Sequence, residues 1–119
     1  MEAVPIGTFY RQLFPEGKVV QLIAPSQNTK GVYLRVAGAQ PGHGWINLYA
    51  STTPPTAAGD IETRIIFAAN GSARAGEKSQ VNMPYPLFIL AGFGMWVSSG
   101  SHLDGSAPDG SFGASWDFA

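Results

Sequence analysis

Hydrophobic positions recur with a period of two along most of the chain, the spacing at which alternate side chains of a β-strand face the same way. Residues 18–24 (KVVQLIA) form an apolar run rich in β-branched side chains. Residues 31–37 (GVYLRVA) put Val32, Leu34 and Val36 on one face and Tyr33 and Arg35 on the other. Residues 45–50 (WINLYA) set Ile46, Leu48 and Ala50 against Trp45, Asn47 and Tyr49, and residues 61–68 (IETRIIFA) align Ile61, Thr63, Ile65 and Phe67. Shorter runs follow at 87–90 and 95–98. The strictest alternation is at 112–118, with Phe112, Ala114, Trp116 and Phe118 facing inward and Gly113, Ser115 and Asp117 outward. That pattern predicts a C-terminal strand with Trp116 in the core.

Turn chemistry separates these runs. Pro41-Gly42, Asn70-Gly71, Asp104-Gly105, Asp109-Gly110 and the Pro15-Glu16-Gly17 triplet offer residues that tolerate positive φ or pre-set a turn. The best helical candidate, 8–14, allows one or two turns before Pro15. Short strands at this spacing predict an all-β fold, an antiparallel sandwich or jelly roll. Three stretches fall outside the predicted strands. Residues 1–17 carry Ile6, Phe9, Tyr10 and Leu13 between prolines and read either as a first strand with a loop or as an N-terminal arm. The arm reading divides the chain into an arm at 1–17 and a sandwich domain at 18–119. Residues 51–60 (STTPPTAAGD) form a Pro-rich connector that cannot join a central ladder, and 98–113 read as a long exposed loop.

Charge changes the picture. Only 13% of the 119 residues are charged, against about 25% in an ordinary soluble domain, while 45% are hydrophobic. A surface so poor in charge predicts that other subunits cover part of it. With no cysteine, neither a disulfide framework nor a thiolate metal site can form. The basic residues are scattered and the net charge is −1, which argues against a nucleic-acid footprint. No apolar run approaches the roughly 20 residues of a membrane span, and Glu2, Pro5, Gly7 and Arg11 interrupt any secretory pattern at the N-terminus.

Candidate chemistry is sparse. Ser101, His102 and Asp104 have the residue types of a hydrolytic triad, but adjacency in one Gly/Ser-rich loop does not position a nucleophile against a base. His102, Asp104 and Asp109 match no metal-ligand spacing. Asp60 and Glu62 read as flanking Arg64 on a solvated strand face. Gly38, Gly42 and Gly44 lack the Lys-Ser/Thr ending of a phosphate loop and read as turn glycines, with His43 as a polar tip. No catalytic, cofactor or metal residue is expected. Trp45, Tyr49, Tyr33 and Tyr85, with Asn47 and Asn82, could form a stacking surface for sugars. The reading preferred for 45–50 is a strand buried on both faces, by the core and by a partner.

The run Tyr49-Ala50-Ser51-Thr52-Thr53-Pro54-Pro55, then Pro84-Tyr85-Pro86-Leu87, Ala91-Gly92, Gly94 and Trp96-Val97, resembles small virion proteins of tailed bacteriophages. The resemblance spans residues 31–99 and implies a multimeric β-sandwich, a trimer favoured, without catalytic residues. It also implies a place in the virion, assembled in the host cytoplasm, and contacts with the major capsid protein or other virion proteins. Together these readings predict a non-enzymatic capsid decoration (cement) protein with interface residues Ile6, Phe9, Tyr10, Leu13, Trp45 and Tyr49. The alternative is a receptor- or carbohydrate-binding module of a fibre.

Overall fold

The computed structural model describes residues 3, 5–71, 80–102 and 108–119, and among these it is all-β. The strands are β1 (Phe9–Leu13), β2 (Val19–Ile23), β3 (Val32–Gln40), β4 (Gly44–Ser51), β5 (Ile65–Asn70), β6 (Val81–Asn82), β7 (Leu87–Ile89), β8 (Gly94–Ser101) and β9 (Ser111–Phe118). They form two antiparallel sheets. One has the order β1-β9-β3-β6, with β7 also on β3, and the other has the order β2-β8-β4-β5. First pairs with last, second with next to last, and β4 closes on β5, which is the strand order of a jelly roll.

Between the sheets lies one core. β3 and β9 contribute Val32, Leu34, Ala37, Ala39, Phe112, Ala114 and Trp116; β4 and β8 contribute Ile46, Leu48, Ala50, Met95 and Val97. The period-two reading therefore holds for Phe112, Ala114 and Trp116, which are buried as expected, whereas Phe118, at the strand end, is 37% exposed. Its indole N–H has no hydrogen-bond partner among the described residues.

Several segments differ from the sequence reading for physical reasons. Residues 1–17, read above either as a first strand with a loop or as an arm, supply the first strand, β1, which pairs with β9 from Phe9↔Trp116 to Leu13↔Phe112. Leu13 joins the core, and the Arg11 guanidinium donates to the Gln21 carbonyl at 2.9 Å, tying this edge to the opposite sheet. The helical option at 8–14 is thereby excluded. A bulge between Leu34 and Val36 turns both Arg35 and Val36 outward, so Val36 leaves the face it was expected to share with Leu34. Ile61 and Thr63 belong to a connector, and β5 begins only at Ile65. β8 continues to Ser101, with Ser98 and Ser99 buried where an exposed loop was expected.

Turn geometry explains the joins. Glu16 and Gly17 both take positive φ, 56° and 77°, in a turn closed by the Lys18 N–H on the Pro15 carbonyl at 3.0 Å. Pro84 and Pro86 interrupt the ladder that would otherwise join β6 to β7 along β3. Asn28, fully buried, donates to the carbonyls of Leu90 and Phe93 at 2.8 and 2.9 Å and accepts the Gly31 N–H at 2.7 Å, joining two loops at one end of the sandwich.

Candidate binding surface

Each sheet has an outer face, and the chain treats the two differently. On the four-stranded sheet the outward positions are Trp45, Asn47 and Tyr49 of β4, opposite Gly100, Ser98 and Trp96 of β8. Tyr49, Trp96 and Ser98 are buried within the single subunit. The Tyr49 hydroxyl receives hydrogen bonds from Ser98 Oγ at 3.1 Å and Asn47 Nδ2 at 3.3 Å. The connector 52–64 folds back beside them. Gly59 lies against the Trp45 indole, Pro55 is buried, and the Ala50 N–H donates to the Arg64 carbonyl at 3.1 Å.

Asp60 holds the connector in shape. Its carboxylate accepts the Thr56 N–H at 3.0 Å, the Glu62 N–H at 2.8 Å and the Thr63 hydroxyl at 2.8 Å. The Thr56 N–H, then that of Glu62, then the Thr63 hydroxyl pull its pKa down from 3.8 to about 2. Asp60 thus organises a loop, where a solvated strand pair with Glu62 was expected.

On the five-stranded sheet the outer face is open. Among the described residues the strands carry only three charged side chains, Arg11, Arg35 and Asp117. Arg11 reaches inward to Gln21, and the other two neutralise each other on this outer face at 3.0 Å. Hydrogen bonds from Thr8, and then from Arg35, hold the Asp117 carboxyl below its usual range. Arg35 also lies over the Tyr33 ring, 4.8 Å from its centroid.

Two regions of this sheet stand out. At the end where β3 begins, Phe9, Tyr33, Phe88, Leu90 and Phe118 are 37–57% exposed although all are large and apolar. Tyr33 and Phe88 meet at 5.0 Å on the outer face, while Phe9 packs on Phe118 at 5.2 Å and stacks on Trp116 at 6.2 Å. Toward the other end of β3 a groove of about 470 Å³ crosses the face. Ser111, Gly113, Ser115 and Gly38 form its floor, and Tyr10, Gln12, Gln40, Gln80 and Asn82 rise beside it.

The predicted interface residues are dispersed by this arrangement. Ile6 and Tyr10 border the groove and Phe9 belongs to the apolar end, all three exposed. Leu13 lies in the core and Tyr49 beneath the other outer face, so neither presents its side chain to a partner; Trp45 is half-buried beside Gly59. The proposed sugar surface is not assembled either. Trp45 and Tyr49 are on one sheet, and Tyr33 and Asn82 lie at opposite ends of β3 on the other.

Of the remaining candidates, Asp104 lies outside the described residues. His43 is a clasp rather than a free tip: its N–H donates to Asp109 at 3.0 Å, and its Nδ1 lies 3.1 Å from the same carboxylate. No group of three metal-ligating side chains occurs among the described residues. Sequence reasoning did not single out Gln12, Gln40, Gln80 and Ser111 of the groove, nor Phe88 and Leu90 of the apolar end. Phe88 and Leu90 fall in a predicted run, but Gln12, Gln40 and Ser111 fall in stretches read as arm, turn or loop and Gln80 outside every predicted run, and which strands lie side by side is not readable from the sequence. Comparison with protein-family models, with curated proteins and with solved structures finds no match.

Proposed function

We propose that this protein is a non-enzymatic structural subunit of a bacteriophage virion, a capsid decoration protein that packs on neighbouring virion subunits through the apolar end of its five-stranded sheet. The carrying observation is the set of large apolar side chains left exposed at one end of this sheet: Tyr33 and Phe88 on the outer face, Leu90 just past β7, and Phe9 and Phe118 at the rim in the phase of Trp116, on strands that hold almost no charge. Large apolar side chains gathered on four neighbouring segments mark a protein-packing surface better than the same residues scattered singly. The internal Arg35–Asp117 pair leaves this face without net charge to desolvate. A jelly roll is an architecture of capsid and lectin domains, which is support by analogy of fold only. Self-association, with a trimer as the order the resemblance implies, uses the same surface.

The test is sedimentation of the purified chain with empty phage heads, alongside its mass by light scattering. Wild type is expected to exceed the 12.6 kDa of one chain and to pellet with heads. Phe88→Glu and Leu90→Glu are expected to remain folded and lose both properties. A monomeric wild type that stays in the supernatant overturns the proposal.

A further inference from the structure

We infer that the groove on the outer face of the five-stranded sheet is a binding site for a neutral saccharide. The site is separate from the apolar end. Along β3, Gly38 and Gln40 of the groove stand at the opposite end of the strand from Tyr33.

The shape comes from the strand order. From β1 across β9 and β3 to β6 the face spans about 14 Å at ordinary strand spacing. Its floor is nearly flat, since the outward positions there are Gly38, Gly113, Ser111 and Ser115. At Gly38 a Cβ would come within 2.7 Å of Asn82 Oδ1, so the bare glycine leaves that amide its place beside the floor. A Cβ at Gly113 would stand 3.6 Å from the Tyr10 hydroxyl and narrow the cleft from its floor. The resulting volume, about 470 Å³, lies within the range of small-molecule sites.

The chemistry of the lining selects the ligand. Among the described residues, no Asp, Glu, Lys, Arg or His lines the groove. An anionic or cationic ligand would lose hydration there without gaining a counter-charge. A wholly apolar ligand would bury side-chain amides that need partners. A neutral sugar ring satisfies both conditions, because its C–H faces suit Tyr10, Ile6 and Val36 while its hydroxyls both donate and accept.

The polar groups are already arranged. Tyr10 donates to Gln12 Oε1 at 3.2 Å, which leaves Gln12 Nε2 as a donor. Gln80 Nε2 donates to Asn82 Oδ1 at 3.3 Å, leaving Asn82 Nδ2 as a donor and Gln80 Oε1 as an acceptor. Ser111 and Gln40 add a hydroxyl and a side-chain amide to the lining. Hydroxyl and amide groups on a groove wall can both donate to and accept from a ligand.

The experiment is an NMR titration of the full-length, isotope-labelled chain with maltotriose, cellotriose, mannotriose and chitotriose, and with sialyllactose as an anionic control. At least one neutral trisaccharide is expected to shift amide signals of β1, β3, β6 and β9 around the groove, with millimolar affinity. Gln40→Ala and Tyr10→Ser, both at exposed positions that need not disturb folding, should each weaken binding about tenfold, the worth of one good polar or stacking contact. Phe88→Glu should leave saccharide binding unchanged while abolishing association, which separates this site from the packing surface. No response to any neutral trisaccharide overturns the inference. So does a response that survives Gln40→Ala and Tyr10→Ser unchanged, or one stronger for sialyllactose.

Discussion

On the four-stranded sheet the outward Tyr49 and Trp96 are buried within the subunit and Trp45 is half-buried beside Gly59 of the connector, whereas on the five-stranded sheet Tyr10, Tyr33 and Phe88 face solvent. Both faces carry aromatic residues at strand positions of the same phase. What differs is the path of the connecting chain. Residues 52–64 return beside β4, with Gly59 against the Trp45 indole and the Arg64 carbonyl accepting from Ala50, and Asp60 fixes their bend by accepting from Thr56, Glu62 and Thr63. Of the described residues ahead of β1, Gly7 and Thr8 lie along β9 and donate to Ser115 and Asp117 at 3.3 and 2.8 Å, leaving Tyr10, Tyr33 and Phe88 exposed. An outward aromatic is therefore part of the fold on one sheet and an available surface on the other.

The largest expected effect tests whether the covered face belongs to the fold. Tyr49→Ala should cost roughly 3–5 kcal/mol, as truncation of a core aromatic does. Trp116→Ala, between the sheets, should cost the same, about 3–5 kcal/mol. The measurement is denaturant unfolding of both variants at one protein concentration. If Tyr49→Ala unfolds near the wild-type midpoint, the connector does not seal that face and the contrast between the sheets fails.

A smaller, pH-dependent effect is expected at Asp60. Its folded-state pKa lies below its ordinary 3.8, so its contribution is fully present above that value and is lost as pH falls toward about 2. Asp60→Asn should therefore be less stable than wild type at neutral pH, with the gap closing across that window. Melting temperatures of the two proteins at neutral pH and through the acid range will show this. A gap that is constant with pH would remove the carboxylate from the account of how the connector is held.

The smallest effect belongs to the open face. Tyr10→Ser should change stability by no more than about 0.5 kcal/mol, because the ring is mostly exposed and its hydroxyl bonds only Gln12. The same unfolding experiment reads it. A loss as large as that of Tyr49→Ala would mean that the two outer faces are equivalent after all.

Much of the architecture was legible in the residues. The alternation at 112–118 placed Phe112, Ala114 and Trp116 in the core and gave β9 almost to the residue. The runs at 18–24, 45–50 and 87–90 became β2, β4 and β7. The prolines of 51–60 marked a segment outside the ladders. Local physics suffices for these because strand phase and turn geometry depend on neighbours a few residues away. The bulge at Arg35 was not legible, since an extra residue shows only when the partner strand sets the register.

The sequence by itself determined a charge-poor chain of short antiparallel strands, with one face of each strand apolar and a surface short of charge. The tertiary structure alone decided which outward faces remain open. Tyr49 and Tyr10 have the same outward phase on their strands. Their fates depend on contacts between segments distant in the chain, Tyr49 with Ser98 and the connector, Tyr10 with a sheet edge that nothing crosses among the described residues. The groove has the same origin. Gln12, Gln40 and Asn82 come together only because first and last strands pair and β3 follows them, a long-range arrangement that no local pattern encodes.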